Sequence, residues 1–327
     1  MTTTNVDTPA TAGDRLGALR AHLSLPLICA PMFLVSGPEL VIAACRNGVI
    51  GSFPAPNARP LEVLDAWMGR IAAELADCER SEPGRRVAPW SLNLVVHSSY
   101  DRLPAELELV RRHRPPIVIT ALGSPARVID AVRGYGGLVF ADVGSIAMAR
   151  KAAQSGVDGL ILVCTGAGGH TGSVSPFVFV DAVRQFFDGI VVLAGGICNG
   201  GAIRAAEVAG ADLADIGTLF IAARESLASD DYRQMVVEAG VDDLVLTRAF
   251  TGASAYYLRR SVERYGLDPD NLSGKTAMDW KNSEQQLKAW KDIWSAGQSV
   301  SAVSRVEGAA EIIDRLRREY ERARKHP

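Results

Sequence analysis

The sequence predicts an α/β fold, a (β/α)8 or TIM barrel with a small helical domain after the eighth strand. Between residues 26 and 217, short apolar runs of strand length alternate eight times with segments of helix length. Such uninterrupted runs are typical of parallel strands buried on both faces. Glycine-rich segments follow the sixth and seventh runs, whereas a doubly wound dinucleotide fold usually carries its glycines after the first strand. The doubly wound sheet is therefore the less favoured alternative.

Turn and capping residues divide this region into elements. Gly48 ends the first helix after the tail, and Ser145 and Asn199 are typical N-cap residues. Residues 1–24, which are polar, are expected to form a flexible tail and a short helix. The predicted strands are 26–32, 49–53, 89–96, 117–122, 138–143, 160–164, 190–194 and 213–217, and the predicted helices are 38–47, 60–78, 103–112, 125–132, 146–155, 177–186 and 200–210.

The alternation stops after residue 217, and the pattern becomes helical and rich in Tyr and Trp. We expect residues 227–290 to form a helical cap over the carboxyl ends of the barrel strands. The barrel would then consist of residues 25–226 and 291–327, with a charged amphipathic helix at 306–325. The predicted helices of the cap region are 218–229, 230–240, 251–265 and 283–296.

Composition excludes several classes of protein. The net charge is −2, so nothing indicates binding to nucleic acid or to an anionic membrane. No apolar run approaches the ~20 residues of a membrane-spanning helix. The five cysteines include no CxxC pair, which favours reduced thiols and a cytoplasmic location. The histidines show no metal-ligand spacing, so no metal is expected.

Two glycine signals lie at consecutive strand ends. Ala194, Gly195 and Gly196 end the seventh predicted strand, and Gly217 and Thr218 end the eighth, each before a helix. In TIM barrels these two loops commonly bind a phosphate through backbone amides and helix dipoles. The alternative is that the glycines only permit tight turns. Their occurrence on both strands favours the phosphate.

A single phosphate attached to a flat ring is the economical ligand, and FMN fits it. Nothing resembles the GxxxxGK[ST] loop expected for a nucleotide polyphosphate. The loop 165–169 is nearly all glycine and threonine, which leaves its backbone open to a flat ligand. Pro31 and Asn93 each have a simpler interpretation. Pro31 would only end the first strand, and the Asn93 side chain would only hydrogen-bond the backbone of a turn. The residues expected along the ring are Ala30, Pro31, Met32, Asn93, Gly168 and Gly169.

His170 is the candidate for proton transfer. It follows the glycine loop at the end of the sixth predicted strand, where barrel active sites lie. A neutral imidazole can remove a proton from carbon or hydrogen-bond an anion near neutral pH. Its alternatives are a helix-capping residue or a solvent-facing loop histidine.

Six blocks of the sequence occur together and in a fixed order between about residue 25 and 298. They are LPLICAPMFLVSGPEL, SLNL, GVDGLILVCTGAGGHTG, VVLAGGI, GADLADIGTLFIA and the late AGQ that ends in Gln298. With these blocks the chain resembles the nitronate monooxygenase family, long called 2-nitropropane dioxygenase. The resemblance implies an FMN-containing TIM barrel with a helical second domain and His170 as catalytic base. It also implies that Gly195, Gly196, Gly217 and Thr218 hold the phosphate and that Met32 and Asn93 lie along the flavin, and Gln298 is a further expected cofactor contact.

Four positions depart from the family pattern. Leu34 stands where members commonly have glycine, and Asp142 where many have Gln or Lys. Val163 replaces a polar residue and Gly166 an acidic one. All four are expected near the flavin. Asp142 would either contact the ring or ribityl chain or repel an anionic substrate.

Three functional hypotheses follow. The leading one is oxidation of an alkyl nitronate by FMN and O2 to a carbonyl compound and nitrite, with the substrate against Met32, Phe33 and either Tyr256 or Tyr257. The second keeps FMN but uses NAD(P)H to reduce an enone, enoyl thioester or quinone. The third is a flavin-binding barrel without chemistry. Aromatic residues of the cap would suit a homodimer, or would pack the cap's own core.

Overall fold

The structure, a computed structural model, describes residues 11–272 and 290–325 and contains a closed barrel of eight strands. Every strand of the barrel pairs with a neighbouring strand on each of its two sides. The strands in chain order are β1 Leu27–Cys29, β2 Ile50–Pro54, β3 Trp90–Val95, β4 Ile117–Ala121, β5 Leu138–Val143, β6 Gly159–Val163, β7 Gly169–His170, β8 Ile190–Ala194, β9 Leu213–Ile216, β10 Leu244–Thr247 and β11 Ala255–Leu258.

The barrel order is β1-β2-β3-β4-β5-β6-β8-β9, and every pairing in it is parallel. Pairing of β1 with β9 closes it, with Ile28 opposite Asp215. The predicted TIM barrel is thereby confirmed, and the doubly wound open sheet is excluded because an open sheet has two unpaired edges.

The barrel interior is an apolar core closed at its amino-terminal end. Inward-facing side chains such as Ile28, Phe140 and Ile161 are fully buried there. Leu19 and Leu23, from the amino-terminal helix and the turn after it, join the same cluster. Apolar side chains therefore fill the amino-terminal end of the barrel interior, and a ligand would bind at the carboxyl ends of the strands.

Helices surround the barrel, largely where the sequence predicts them. The predicted helix at 125–132 is a 3-10 turn at Pro125–Arg127 followed by one short α-helix. The α-helices are α1 Ala12–Ala21, α2 Pro38–Arg46, α3 Leu61–Ser81, α4 Leu103–His113, α5 Ile129–Arg133, α6 Ile146–Gln154, α7 Pro176–Arg184, α8 Gly200–Val208, α9 Thr218–Ile221, α10 Asp230–Glu238, α11 Arg259–Glu263 and α12 Ala309–Lys325.

The cap differs from the expectation of a purely helical domain. β10, β11 and β7 form an antiparallel sheet of three strands, so the predicted helix at 251–265 is wrong over its first half. Gly252, at φ +78°, interrupts a helix there. Tyr256 and Tyr257 then favour a strand, which buries one ring on each face. Only α11 remains of that helix.

The rest of the cap can be described in part. The first half of the predicted helix at 283–296, residues 283–289, lies outside the described residues. From residue 290 onward the chain forms turns and the 3-10 helix Gln298–Ala302 rather than a helix to residue 296. The described ranges hold no helix with the length and apolar character to span a membrane.

Candidate active site

The candidate site lies where the barrel strands end and the cap sheet begins. After β6, residues 164–168 form a turn, and β7 then carries His170 out of the barrel into the cap sheet. There His170 pairs with Ala255 and Gly169 with Tyr256 on β11. The amide of Thr171 donates to the carbonyl of Ser254 at 2.9 Å. His170 is thus fixed by backbone bonds to the cap.

Within the part of the chain that the structure describes, the imidazole of His170 contacts the side chains of Thr251 and Trp290. Its Nε2 lies 3.1 Å from Oγ1 of Thr251, and its ring meets the Trp290 ring edge-on at 4.9 Å. Burial lowers the pKa of His170, because a charged imidazolium loses hydration there. The residue is therefore neutral near pH 7 and able to accept a proton.

The predicted glycine pairs lie at the mouth of the barrel. Gly195 and Gly196 have φ values of +115° and +70°, conformations that favour glycine. A Cβ atom on Gly195 would approach the amide of Ala167 at 3.0 Å, whereas one on Gly196 would meet no atom within 4 Å. Gly196 therefore borders open space above the strand ends.

Gly217 and Thr218 face the same mouth. A Cβ atom on Gly217 would lie 3.3 Å from Sδ of Met32 and 3.4 Å from Cβ of Ala30. The buried Oγ1 of Thr218 accepts a 2.8 Å hydrogen bond from the amide of Gly297. Thr218 is the acceptor in that bond, so the bond leaves the hydroxyl proton of Thr218 available for donation to an anion.

The segment containing Gln298 closes against the glycine loop. The Gln298 amide donates to the carbonyl of Gly166 at 2.9 Å, and its Nε2 donates to the Tyr256 hydroxyl at 3.0 Å. A Cβ atom on Gly168 would lie 2.8 Å from the amide of Gly297. At Gly166, with φ +88°, a Cβ atom would lie 2.6 Å from Oε1 of Gln298. A side chain at position 166 would require the Gln298 side chain to move, and the φ of +88° itself favours glycine.

The loop after β1 is held by one asparagine. Oδ1 of Asn57 accepts from the Leu34 amide at 2.8 Å, while its Nδ2 donates to the carbonyls of Met32 at 3.0 Å and Ser36 at 2.8 Å. Leu34 has φ +61°, a left-handed backbone conformation that favours glycine. Ala30, Pro31 and Met32 are half-buried along this loop.

Two carboxyl groups lie inside the mouth. Asp142 of β5 accepts from Nδ2 of Asn93 at 3.5 Å, and burial raises the pKa of Asp142 to about 7. Burial and the nearby Asp142 raise the pKa of Asp215 well above its ordinary value. Among the described residues, Oδ1 of Asp215 has no hydrogen-bond partner. The pair therefore carries little negative charge below about pH 7.

Aromatic side chains form one wall of the site. The Phe33 ring, 36% exposed, meets the Trp290 ring edge-on at 6.3 Å, so Trp290 lies between Phe33 and His170. Tyr256 faces Gln298. Tyr257 is fully buried in the cap core, which argues against direct contact with a substrate; its packing against Phe250 and Ile293 is the structural alternative.

Several site residues escaped the sequence analysis. Thr251 and Asn57 lie far along the chain from the groups they hold, so spacing gives no signal for either. Trp290 was visible only as one of several cap aromatics. Asp215 did leave a signal, because a carboxylate at an inward position of an apolar strand is unusual.

The mouth fits the phosphate end of a flavin mononucleotide on three observations. Gly196 leaves open space that any side chain would enter. The Thr218 hydroxyl retains a proton to donate. The half-buried residues 30–32 and Gly169 and the exposed Gly168 lie around the same opening. The set would hold one phosphate and expose main chain to a ring.

Fold and site together define a TIM-barrel oxidoreductase of the flavin-dependent class. The family model for nitronate monooxygenase matches residues 84–319, well over half of the 327 residues. The chain therefore belongs to the nitronate monooxygenase family, whose members are flavin-dependent oxidoreductases.

Relatives and solved structures agree with that assignment. A nitronate monooxygenase from Paraburkholderia phytofirmans is 26% identical over 91% of this chain and 93% of its own. A Rhodococcus jostii dehydrogenase of a hydroxy-methyl-oxo-octahydroindene carboxyl-CoA is 26% identical over 77% and 67%. The solved nitroalkane oxidase of Streptomyces ansochromogenes has a TM-score of 0.75 at 26% identity, covering 94% of this chain and 99% of its own. FabK of Thermotoga maritima, with a TM-score of 0.74 at 22% identity over 95% and 97%, shares the fold.

Proposed function

We propose that this protein is an FMN-dependent nitronate monooxygenase that oxidises alkyl nitronates with O2 to carbonyl compounds and nitrite. The observation that carries the proposal is the neutral, half-buried imidazole of His170 beside the Phe33–Trp290 wall, next to a glycine cradle suited to a phosphate. Net reaction of two nitronates with one O2 gives two carbonyl compounds and two nitrite ions, which balances atoms and charge.

His170 performs the proton chemistry. Its neutral imidazole accepts the α-proton of a nitroalkane, and the resulting imidazolium stays beside the nitronate oxygens and holds them. Gly195, Gly196, Gly217 and Thr218 would hold the phosphate of FMN, which would supply the electron transfer between the organic anion and O2. Phe33 and Trp290 exclude water from the alkyl chain.

The carboxyl pair is compatible with an anionic substrate. Asp142 and Asp215 sit in the mouth, and ionised carboxylates there would repel a nitronate. Burial raises the pKa of both side chains, so both hold their protons below neutral pH, and Asp142 loses its proton at about pH 7. Asn93 donates to Asp142 and so favours that residue as the first of the two to ionise.

A second candidate is an NAD(P)H-dependent flavin reductase acting on an enone, enoyl thioester or quinone. Its specific support is the Rhodococcus jostii relative, whose name specifies a carboxyl-CoA substrate. The same mouth and the same His170 would serve it, with His170 donating a proton to the reduced product. Only the electron donor and acceptor differ between the two proposals.

Anaerobic stopped-flow measurements distinguish them. The purified holoprotein, first checked for bound FMN, is mixed separately with propyl-2-nitronate, NADH and NADPH, and flavin absorbance is followed. Fast reduction by the nitronate with no response to either nicotinamide supports the monooxygenase. Fast reduction by a nicotinamide with no response to nitronate contradicts it and supports the reductase.

A further inference from the structure

We infer that Thr251 of the cap fixes the tautomer of His170 and thereby makes Nδ1 the nitrogen that accepts the substrate proton. Thr251 is a positioning residue in this scheme, because it acts through His170. The inference deepens the proposed function, and its catalytic consequence rests on that function. The assignment of the His170 tautomer does not depend on the proposed function.

The single hydroxyl proton of Thr251 decides which tautomer of His170 is present. Oγ1 of Thr251 lies 3.1 Å from Nε2 of His170 and 3.2 Å from the carbonyl oxygen of Ala253. The Tyr257 hydroxyl also interacts with Thr251, but it can donate its own proton to Oγ1. A carbonyl oxygen only accepts, so the single hydroxyl proton of Thr251 points to Ala253. Oγ1 then offers lone pairs to His170, and Nε2 must carry the hydrogen. In a neutral imidazole this leaves Nδ1 unprotonated.

The opposite arrangement costs a hydrogen bond. If Thr251 donated to Nε2, it would withdraw its proton from the Ala253 carbonyl, which has no other hydrogen-bond donor among the described residues. Donation to Ala253 together with acceptance from Nε2–H gives Thr251 two hydrogen bonds within the protein, whereas donation to Nε2 gives it only one. A hydrogen bond within the protein contributes about 0.5–1.5 kcal/mol net, which favours the Nε2–H tautomer.

Backbone pairing and one ring contact restrict the orientation of the imidazole. Backbone pairing of His170 with Ala255 and of Thr171 with Ser254 sets the direction of the side chain, and the Trp290 ring lies edge-on at 4.9 Å. Thr251 lies in the turn between β10 and β11, on the same cap sheet. The cap sheet therefore holds both His170, the donor, and Thr251, the acceptor.

The consequence for catalysis concerns the protonated state. When Nδ1 takes a proton, the ring becomes an imidazolium and its Nε2–H bond to Thr251 strengthens. Thr251 thus supports the charge that burial opposes. Removing its hydroxyl lowers the pKa of His170 further than burial alone does.

The direct test is nitrogen NMR of the holoprotein labelled with 15N-histidine. Pyrrole-like Nε2 and pyridine-like Nδ1 have distinct shifts, and a His170→Gln protein assigns the signals. We expect Nε2–H in the parent and in Thr251→Ser, and a mixture of tautomers in Thr251→Val, which has nearly the same shape. An Nδ1–H signal in the parent, or an unchanged tautomer in Thr251→Val, overturns the inference.

Kinetics with a neutral nitroalkane supply the second readout. The rate of flavin reduction in Thr251→Val should fall about 10- to 100-fold, as for other groups that orient a functional histidine. The limb that reports His170 should move to lower pH in Thr251→Val but stay in place in Thr251→Ser. A loss of rate shared by both variants, with no shift of the limb, indicates a structural role only and contradicts the inference.

Failure of the two proposals can be told apart. If neither nitroalkane nor nitronate reduces the flavin while the tautomers behave as expected, the proposed function fails and the role of Thr251 stands. If Thr251→Val does not fold, the parent tautomer and the Thr251→Ser spectrum still decide the assignment.

Discussion

The backbone amide of Leu34 donates a 2.8 Å hydrogen bond to Oδ1 of Asn57, and this bond holds Leu34 at φ +61°. A leucine in the left-handed region costs about 1–2 kcal/mol. Two further bonds from Asn57, to the carbonyls of Met32 and Ser36, close the loop around it. The shape of the loop along the mouth thus depends on one amide side chain from outside it.

Asn57→Ala should destabilise the protein by about 2–3 kcal/mol, since three hydrogen bonds of about 1 kcal/mol each are lost. It should also weaken FMN binding, because Met32 loses its position. Chemical denaturation and fluorescence titration of the flavin-free protein with FMN measure the two effects. A stable variant with unchanged FMN affinity would show that the loop holds its own shape.

Substitutions of Leu34 test the strain separately. Leu34→Gly should change stability by less than about 1 kcal/mol, because relief of the left-handed penalty offsets the greater freedom of the unfolded glycine. Leu34→Ile should destabilise, since a branched side chain is worse at this φ. Denaturation midpoints of the two variants compare them, and equal losses for both would argue that packing of the leucine side chain dominates.

Gly196, in the proposed phosphate site, has a matched control in Gly266 of the cap. Gly196 and Gly266 have φ values of +70° and +69°, and a Cβ atom on either would meet no atom within 4 Å. Alanine at each should cost a similar stability, about 1 kcal/mol. Only Gly196→Ala should weaken FMN binding, by placing a methyl group in the phosphate space. Equal FMN affinity in the two variants would show that the phosphate does not bind at the loop of Gly196.

Asp142 should make nitronate turnover sensitive to pH near 7. The folded pKa of Asp142 is about 7, so rising pH places a negative charge in the mouth and raises the KM for propyl-2-nitronate. His170, whose pKa lies below its usual range, titrates at lower pH and accounts for a separate limb. Asp142→Asn should abolish the change near pH 7 and leave the lower one. The KM measured from pH 5 to 9 in both proteins checks this.

The same carboxyl should affect stability with a definite sign. Its pKa is raised in the folded state, so the folded protein binds more protons than the unfolded chain between about pH 4 and 7. The contribution of Asp142 to stability therefore falls as pH rises through that window and is constant above it. The flavin-free parent should lose more Tm between pH 5 and 8 than Asp142→Asn. A larger loss in the variant would contradict the shift.

Sequence patterns predicted what is local in this molecule. Buried parallel strands, the glycines at their ends and the histidine after β6 all leave signals within a few residues. The cap sheet does not, because β7 has only two residues and pairs with a strand far along the chain. Thr251 reaches His170 across 81 positions. Side-chain bonds of that range have no periodicity to detect.

The pairing of β7 with β11 has a consequence for recombining members of this family. His170 belongs by chain to the barrel and by hydrogen bonding to the cap. Transplanting a relative's cap to alter substrate preference would import new partners for the imidazole together with the new walls. A productive chimera must therefore carry 169–171, the turn at 251–254 and residues 290–298 as one cassette, with crossover points in the helices on either side.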